Sequence, residues 1–356
     1  MNEAAIASRE NRSMTHSMTR RIGWLFGAGV LFAAIPASAV FVPNALGERV
    51  AAGLVAHNVC SATFVGGLDP QATFEEQIRT ILPGLAWKPL AYRVDRVNRT
   101  VAASFARLDR ARARFTPGYG CRLDYPENVR APAPRSLTPV VADAFAPAGP
   151  VETADSKIAA ALSRVFTERP SQPTKDVKAA VVVRNGRVVA ERYAPGFGTN
   201  TPLLSYSVAK SFTNALLGVL VRQGRLRVDQ PVGAPEWAAT GDVRRRITIE
   251  DLARMRSGLD VAEEESVSSP VAVMEYARAD MAGFAARHSL KHPPGTAWEY
   301  TSANTLILDR LLGRTVGGGA AGMRDFAERE LFAPLHIANV TMEFDGAGVF
   351  VGSSYV

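Results

Sequence analysis

Hydrophobic and polar positions alternate in two ways in the second half of the chain, and each predicts a different element. Residues 178–183 are mainly apolar and β-branched, and a second such run covers residues 188–191. Asn185-Gly186 lies between them, and Asn-Gly between two such runs predicts a β-hairpin. From Val208 to Gln223 the apolar side chains recur at helical spacing instead, and Gly224 is suited to end that helix.

Two more helices are predicted further along the chain. Thr248 stands as N-cap with Asp251 at the capping-box position, so a helix should begin there and stop at Ser257-Gly258. Residues 306–312 form another helical run, and residues 317–319 are three glycines that predict a flexible loop.

The first half of the chain is organised differently. Residues 43–125 form a small N-terminal region with helical stretches and one predicted strand, Thr100–Phe105. Residues 126–150 are rich in Pro and Ala, which predicts a linker or an extended segment on a surface. The remaining residues, 151–356, form the second and larger domain. The chain shows no internal repeat.

The N-terminus predicts export. Arg20 and Arg21 precede an apolar run over residues 22–42, which is typical of a signal peptide or a membrane anchor. Ala37-Ser38-Ala39 fits a cleavage site, yet the run also approaches the ~20 residues that span a bilayer. Cleavage, retention and a buried core helix all stay open. In the first two cases residues 1–21 are a disordered cytoplasmic segment, and the rest is periplasmic or anchored to the inner membrane, facing the periplasm.

Net charge and cysteine content narrow the function classes. The chain carries 41 Lys and Arg against 34 Asp and Glu, a net charge of +7. The arginines between Arg93 and Arg114 are interrupted by acidic residues and lack interleaved stacking aromatics, so they indicate a solvated surface rather than nucleic-acid binding. In an oxidising compartment the only two cysteines, Cys60 and Cys121, predict one disulfide, with two buried thiols as the alternative.

One local pattern carries the chemistry of a nucleophile. Ser207 and Lys210 form Ser-x-x-Lys at a predicted helix start, where positions three apart share a face. A serine hydroxyl is a poor nucleophile until a neighbouring base takes its proton, and a neutral lysine can do so. The helix N-terminus also favours developing negative charge. By itself Ser-x-x-Lys is a common pattern.

Four segments in order raise the specificity of this pattern. The chain resembles the serine β-lactamase and penicillin-binding superfamily, and most of all its class C and 6-aminohexanoate-dimer hydrolase branch. The segments that carry this resemblance are residues 204–212 (LSYSVAKSF), 224–232 (GRLRVDQPV), 247–259 (ITIEDLARMRSGL) and 294–302 (PGTAWEYTS).

The resemblance implies a fold and roles for four residues. The implied fold is α/β (α+β), a sandwich of an antiparallel sheet and a helical subdomain. Ser207 would be the nucleophile, Lys210 its activating partner and Tyr300 an acid or base. Ser302 stands where the branch most often has Asn in Tyr-x-Asn, so it is a candidate for substrate binding, and this departure weakens an assignment as a true β-lactamase.

Other constellations are weak. There is neither a zinc-ligand pattern nor a phosphate loop, so we expect no metal and no cofactor. No Gly-x-Ser-x-Gly elbow is present, which argues against an α/β-hydrolase. The run Glu263-Glu264-Glu265 predicts a solvated turn.

These features together predict a serine hydrolase that acts on a small amide or ester through an acyl-enzyme. The alternative is a non-catalytic, membrane-anchored binding or sensor protein on the same fold. No Lys-Thr-Gly or His-x-Gly motif comes after Tyr300. We therefore expect the fold to be incomplete at its C-terminus, from a fragment or a truncated gene product, with poor hydrolysis as a result.

Overall fold

The structure is a computed structural model, and it describes residues 45–79, 89–125, 133, 150–168, 175–264 and 266–355. The predicted segments 1–21 and 22–42 lie outside the described residues, as does almost all of the predicted linker 126–150. Within the described residues no helix is both long and apolar enough to cross a membrane.

The N-terminal region consists of a buried helix and a small antiparallel sheet. Helix α1, Ala45–Phe64, is followed by the short helix α2, Pro70–Thr73, and a π-helical turn, Phe74–Ile78. The sheet runs in the order β1-β2-β3-β4. Its strands are β1 Leu90–Asp95, β2 Thr100–Phe105, β3 Leu108–Thr116 and β4 Gly120–Leu123.

The sequence predicted only one of these four strands. The predicted strand Thr100–Phe105 is confirmed as β2, and β1, β3 and β4 were missed. In β3, Arg110, Arg112 and Arg114 alternate with alanines. This is the period of a strand with one solvated face. The alanines on the inner face are only weakly apolar, so the alternation typical of a strand was not recognised among the charged residues.

Helix α1 is buried on nearly every side. All residues from 50 to 63 are buried, because one side of the helix packs on its own sheet and another packs on a helix of the second domain, α6, Pro270–Ala277. Gly53 permits this approach, since a Cβ there would stand 2.7 Å from the carbonyl oxygen of Tyr276 in α6. Cys60 of α1 is joined to Cys121 of β4 by a disulfide.

The second domain begins with helix α3, Ser156–Phe166, and a two-stranded antiparallel sheet. Strands β5, Ala179–Arg184, and β6, Arg187–Tyr193, form the predicted hairpin. Asn185 and Gly186 both have positive φ, at 52° and 74°, which is the geometry a tight hairpin turn requires.

Helices and the loops between them make up most of the rest of the second domain. Short 3₁₀ turns cover Pro235–Trp237 and Val243–Arg246, and a π-helical turn covers Glu328–Phe332. Besides α6, the helices are α4 Ala209–Arg222, α5 Ile249–Ala253, α7 Met281–Ala286, α8 Ser302–Val316 and α9 Gly319–Ala327.

The predicted helix boundaries hold at their starts better than at their ends. The capping box of Thr248 and Asp251 is confirmed at the start of α5. That helix ends at Ala253 rather than near Ser257, because Met255 adopts a positive φ of 56°. The glycine run is shorter as a loop than expected, since α9 already begins at Gly319. Both corrections concern backbone geometry that periodicity does not report.

The whole is an α+β fold of antiparallel sheets and helices, as the sequence predicted. The core runs continuously from the N-terminal region into the second domain. Trp237, Phe326, Phe332 and Phe350 are among its largest fully buried side chains.

Candidate active site

Ser207 lies at the entrance to helix α4. It belongs to the 3₁₀ turn Tyr206–Val208 that leads into the helix, and its side chain is exposed. Tyr206, directly before it, has a φ of 44°, a region that bulky residues rarely adopt. Such backbone strain is found most often at functional sites.

Lys210 stands one helical turn after Ser207 and contacts three oxygen atoms. Its Nζ donates to Ser207 Oγ at 3.0 Å, to Ser302 Oγ at 3.0 Å and to the carbonyl oxygen of Ser353 at 2.8 Å. All three acceptors are uncharged. Among the described residues, Lys210 forms no ion pair with a carboxylate.

Tyr300 reaches Ser207 from the opposite direction. Its hydroxyl donates to Ser207 Oγ at 2.8 Å, and its ring centroid lies 5.1 Å from Lys210 Nζ. Tyr300 directly precedes Thr301, the N-cap of helix α8, so the start of that helix fixes its position. Its side chain is 37% exposed, which leaves the hydroxyl open to a bound molecule.

Ser302, the first residue of α8, is buried and accepts from Lys210. Ser302 also lines the cavity beside Ser207. This position is compatible with its predicted role in substrate binding, which stays a prediction. Asn304, two residues further along, is not part of the site. It is buried and accepts from the Ser257 hydroxyl at 2.6 Å.

Residues 352–355 complete the surroundings of Lys210. The Ser353 carbonyl accepts from Lys210, and the Gly352 amide donates to the carboxylate of Asp309 at 3.1 Å. The hydroxyls of Ser353 and Ser354 both donate to Glu275, at 3.1 and 2.7 Å. Two buried carboxyl groups therefore hold the strip of backbone that contacts the lysine.

Burial controls the charge of these two carboxyl groups. Removal from water raises the pKa of Glu275, although hydrogen bonds from Ser354 and Ser353 oppose the rise. Removal from water likewise raises the pKa of Asp309 well above its ordinary value, against a hydrogen bond from Thr213. Both shifts favour the neutral carboxyl, and the nearby positive charge of Lys210 acts against the rise of the pKa in each case.

A cavity of about 400 Å³ opens beside Ser207. Tyr300, Ser302 and Glu263 line it from the second domain, together with apolar side chains that include Val271. The hydroxyl of Tyr206 is buried at its wall and has no hydrogen-bond partner in the described part of the chain. Burial raises the pKa of this phenol to about 12.

Glu263 has a contact that the sequence did not predict. Glu263 and Glu264 are exposed, in keeping with the predicted solvated turn, and Glu263 Oε2 also accepts from the backbone amide of Ser302 at 2.5 Å. A carboxylate is favoured at the N-terminus of helix α8, where free amide groups and the helix dipole meet it. The side chain is solvent-exposed and bound at the same time.

The structure thus brings Tyr300 and Ser302 to Ser207 and Lys210 across 93 and 92 positions of sequence. The motifs did not point to Glu263, Glu275, Asp309 or Ser353. A signal for the two buried carboxyls was their position on apolar helix faces, where an acidic residue is unusual. In the part of the chain that the structure describes, no group of three or more His, Cys, Asp or Glu side chains is arranged to hold a metal ion.

Known proteins that resemble the chain include two solved structures. No curated protein matches the chain. One similar solved structure is a Bacillus anthracis protein named as a putative 6-aminohexanoate-dimer hydrolase, with 19% identity, 50% of each chain covered and a TM-score of 0.40. Another is a D-stereospecific amidohydrolase from Streptomyces sp., with 23% identity, 41% of this chain and 45% of that chain covered, and a TM-score of 0.33.

The chain therefore spans about half the length of the solved structures that it matches. The family model described as Beta-lactamase matches residues 164–351, slightly more than half of the 356 residues. That segment contains Ser207, Lys210, Tyr300 and Ser302. The chain belongs to the Beta-lactamase family.

Proposed function

We propose that this protein is a serine hydrolase that cleaves an amide or an ester through an acyl-enzyme on Ser207. One observation carries the proposal. Ser207 Oγ lies within hydrogen-bond distance of both Lys210 Nζ and Tyr300 OH, at 3.0 and 2.8 Å, on the wall of a substrate-sized cavity. A nucleophile beside two groups that can exchange protons is the arrangement that acyl transfer needs.

In the first step, Ser207 Oγ forms a bond to the substrate carbonyl carbon. The hydroxyl proton passes to Lys210 or Tyr300 and from there to the leaving nitrogen or oxygen as its bond to the carbonyl carbon breaks. In the second step, water adds to the acyl carbon, the bond to Ser207 Oγ breaks, and the serine regains its proton. The products are a carboxylic acid and an amine or alcohol.

The contacts of Lys210 support its part in this sequence. A lysine accepts a proton only in its neutral form, and an adjacent carboxylate would hold it charged. Lys210 contacts three uncharged oxygens and pairs with no carboxylate among the described residues. When Lys210 acts as the base, its contact with Ser207 would reverse, so that the serine hydroxyl donates to the neutral amine. Tyr300 would serve as a second proton carrier on the open side of Ser207, and Ser302 would help to bind the substrate.

The start of helix α4 would stabilise the negative charge that develops on the substrate. Ser207 lies in the turn that leads into a helix of 14 residues. Free amide groups and the helix dipole at such a start favour negative charge, as on the oxygen of a tetrahedral intermediate.

Covalent labelling tests the proposal on the full chain. A fluorophosphonate probe should modify the wild-type protein, and Ser207→Ala should abolish the modification. Ser211→Ala is the matched control, because Ser211 is an exposed serine on the same helix and should not affect labelling. Labelling of Ser207→Ala at the wild-type level would contradict the assignment. Absence of labelling in every variant would favour a non-catalytic binding protein.

We also propose that the hydrolase works outside the cytoplasm, exported or anchored through residues 22–42. The disulfide between Cys60 and Cys121 supports this, since disulfides persist in oxidising compartments. Alkylation of free thiols in the native, unreduced protein tests it. Two modified cysteines would contradict the proposal.

A further inference from the structure

The cavity beside Ser207 is not built by the Beta-lactamase segment alone. Val50 and Leu54 of helix α1 line it, although α1 lies about a hundred residues before the matched segment 164–351. The two side chains are four residues apart, so they lie on one face of the helix. Leu54 keeps 3% of its surface accessible and Val50 0%, so Leu54 is the one that presents surface to the cavity, and Val50 belongs to the same wall.

Helix α6 supplies the rest of the apolar wall. Val271, Ala272 and Tyr276 of α6 line the same cavity as Val50 and Leu54. An apolar wall this close to Ser207 suits the hydrocarbon part of an acyl group, because burial of apolar surface is favourable and does not depend on direction.

Helix α1 is held firmly against the second domain. Gly53 allows the backbone of α1 to approach Tyr276, where even a methyl group would stand 2.7 Å from the carbonyl oxygen. Glu343 of the second domain accepts from the Ser61 hydroxyl at 2.8 Å and from the Cys121 amide at 2.7 Å, and His57 Nε2 lies 3.0 Å from its other oxygen. A wall fixed in this way can discriminate by size.

We propose that Leu54 and Val50 of helix α1 determine which acyl groups this hydrolase accepts, by closing the apolar part of the acyl pocket. The inference rests on the proposed function, since it assigns the cavity to the acyl group of the Ser207 substrate. The N-terminal region then contributes specificity to a site whose reacting groups all belong to the second domain.

Binding to chemically inert protein tests the wall separately from catalysis. In full-length Ser207→Ala protein, the dissociation constant of octanamide is measured by calorimetry with and without Leu54→Phe. We expect the larger side chain to weaken octanamide binding about tenfold and to leave acetamide unaffected, since one or two methylene groups in an apolar pocket change affinity by roughly this factor.

Turnover of a variant that keeps Ser207 tests the opposite change, in which the pocket is enlarged. Leu54→Ala enlarges the pocket, so the ratio of kcat/KM for p-nitrophenyl octanoate to that for the acetate should rise about tenfold. Val50→Ala should shift the same ratio if Leu54→Ala does not fold. Val59→Ala is the matched control, because Val59 is fully buried in α1 and does not line the cavity. It should lower the melting temperature without changing the ratio.

The outcomes separate the two proposals. Two results would overturn the proposal that Leu54 and Val50 close the acyl pocket. One is unchanged octanamide binding in Leu54→Phe, and the other is an unchanged ester ratio in Leu54→Ala while turnover still depends on Ser207. Weakened octanamide binding in a protein that shows no Ser207-dependent turnover would support the wall as a binding surface and contradict the hydrolase. An equal shift of the ester ratio in Val59→Ala would also overturn this proposal, because a general loosening of helix α1 would then explain the shift.

Discussion

The N-terminal region and the second domain bury different kinds of side chain. Helix α1 is buried along residues 50–63, mostly through apolar side chains with a few polar ones such as His57 and Ser61, and no Asp or Glu residue is classed as buried in the described part of the N-terminal region. The second domain buries several, among them Glu275, Asp309, Glu343 and Asp345. Buried Asp and Glu residues thus belong to the second domain, and two of them, Glu275 and Asp309, lie near Lys210.

This difference predicts which changes in conditions or in sequence should affect each of the two regions. Proton-exchanging groups tie the second domain to pH and to catalysis. The N-terminal region is held by apolar packing, by one disulfide and by its contacts with Glu343, so oxidation state and side-chain volume should affect it most.

The largest expected effect is on turnover. Lys210→Ala removes the group that contacts Ser207, Ser302 and the Ser353 carbonyl, so kcat/KM for an activated ester should fall at least ~10²-fold. Steady-state assays of full-length protein measure this. Lys157→Ala is the control, since Lys157 is exposed on helix α3 and does not line the cavity. Unchanged turnover in Lys210→Ala would show that the lysine is structural.

The second prediction concerns pH and the second domain. Burial raises the pKa of Asp345 to about 7, against hydrogen bonds from the amides of Val349, Met281 and Ala347. A raised pKa in the folded state means that this group's stabilising contribution is full below about pH 4 and declines until the pH passes about 7. The span corresponds to roughly 4 kcal/mol at most.

Chemical denaturation between pH 4 and 8 checks the sign. Wild-type protein minus Asp345→Asn should show a free energy of unfolding that falls as pH rises through this window. Asp229→Asn alters an exposed ion pair with Arg227 and should leave the pH dependence in this window unchanged. A difference that rises with pH would contradict the burial argument.

The third prediction concerns oxidation and the N-terminal region. Replacement of both cysteines by alanine should lower the free energy of unfolding by about 2–4 kcal/mol, because the disulfide closes a loop between residues 61 positions apart. Thermal and chemical denaturation measure the loss. Turnover of the folded fraction on a short ester should stay near wild type, since Cys60 and Cys121 do not line the cavity. Strong loss of that turnover would contradict the expectation that the disulfide of the N-terminal region stabilises the fold without taking part in catalysis.

The smallest expected effect is at the contact between the two regions. Glu343→Gln keeps the shape of the side chain but removes its charge, and one oxygen near His57 is replaced by an amide group. We expect a loss on the order of 1 kcal/mol in the free energy of unfolding, the size of one imperfect hydrogen bond. Glu343→Ala should cost more, because Ser61 and the Cys121 amide would lose their buried acceptor. Equal stabilities of the two variants would show that this acceptor does not hold the regions together.

Features that depend on neighbours along the chain could be predicted from the sequence. The turn at Asn185-Gly186, the capping box of Thr248 and Asp251, and the placement of Ser207 and Lys210 one helical turn apart all arise from local backbone preference. Short-range rules are enough for these, because the contacting groups are three or four residues apart.

Contacts between distant residues depend on how the whole chain folds. Tyr300 reaches Ser207 across 93 positions, Ser353 presents its carbonyl to Lys210 across 143 positions, and Leu54 lines the same cavity from helix α1. The first meeting was expected through family resemblance, and the other two had no local signal. Nothing in the residues around Leu54 distinguishes a pocket wall from ordinary core, because apolar packing is set by volume and position, which sequence spacing does not encode.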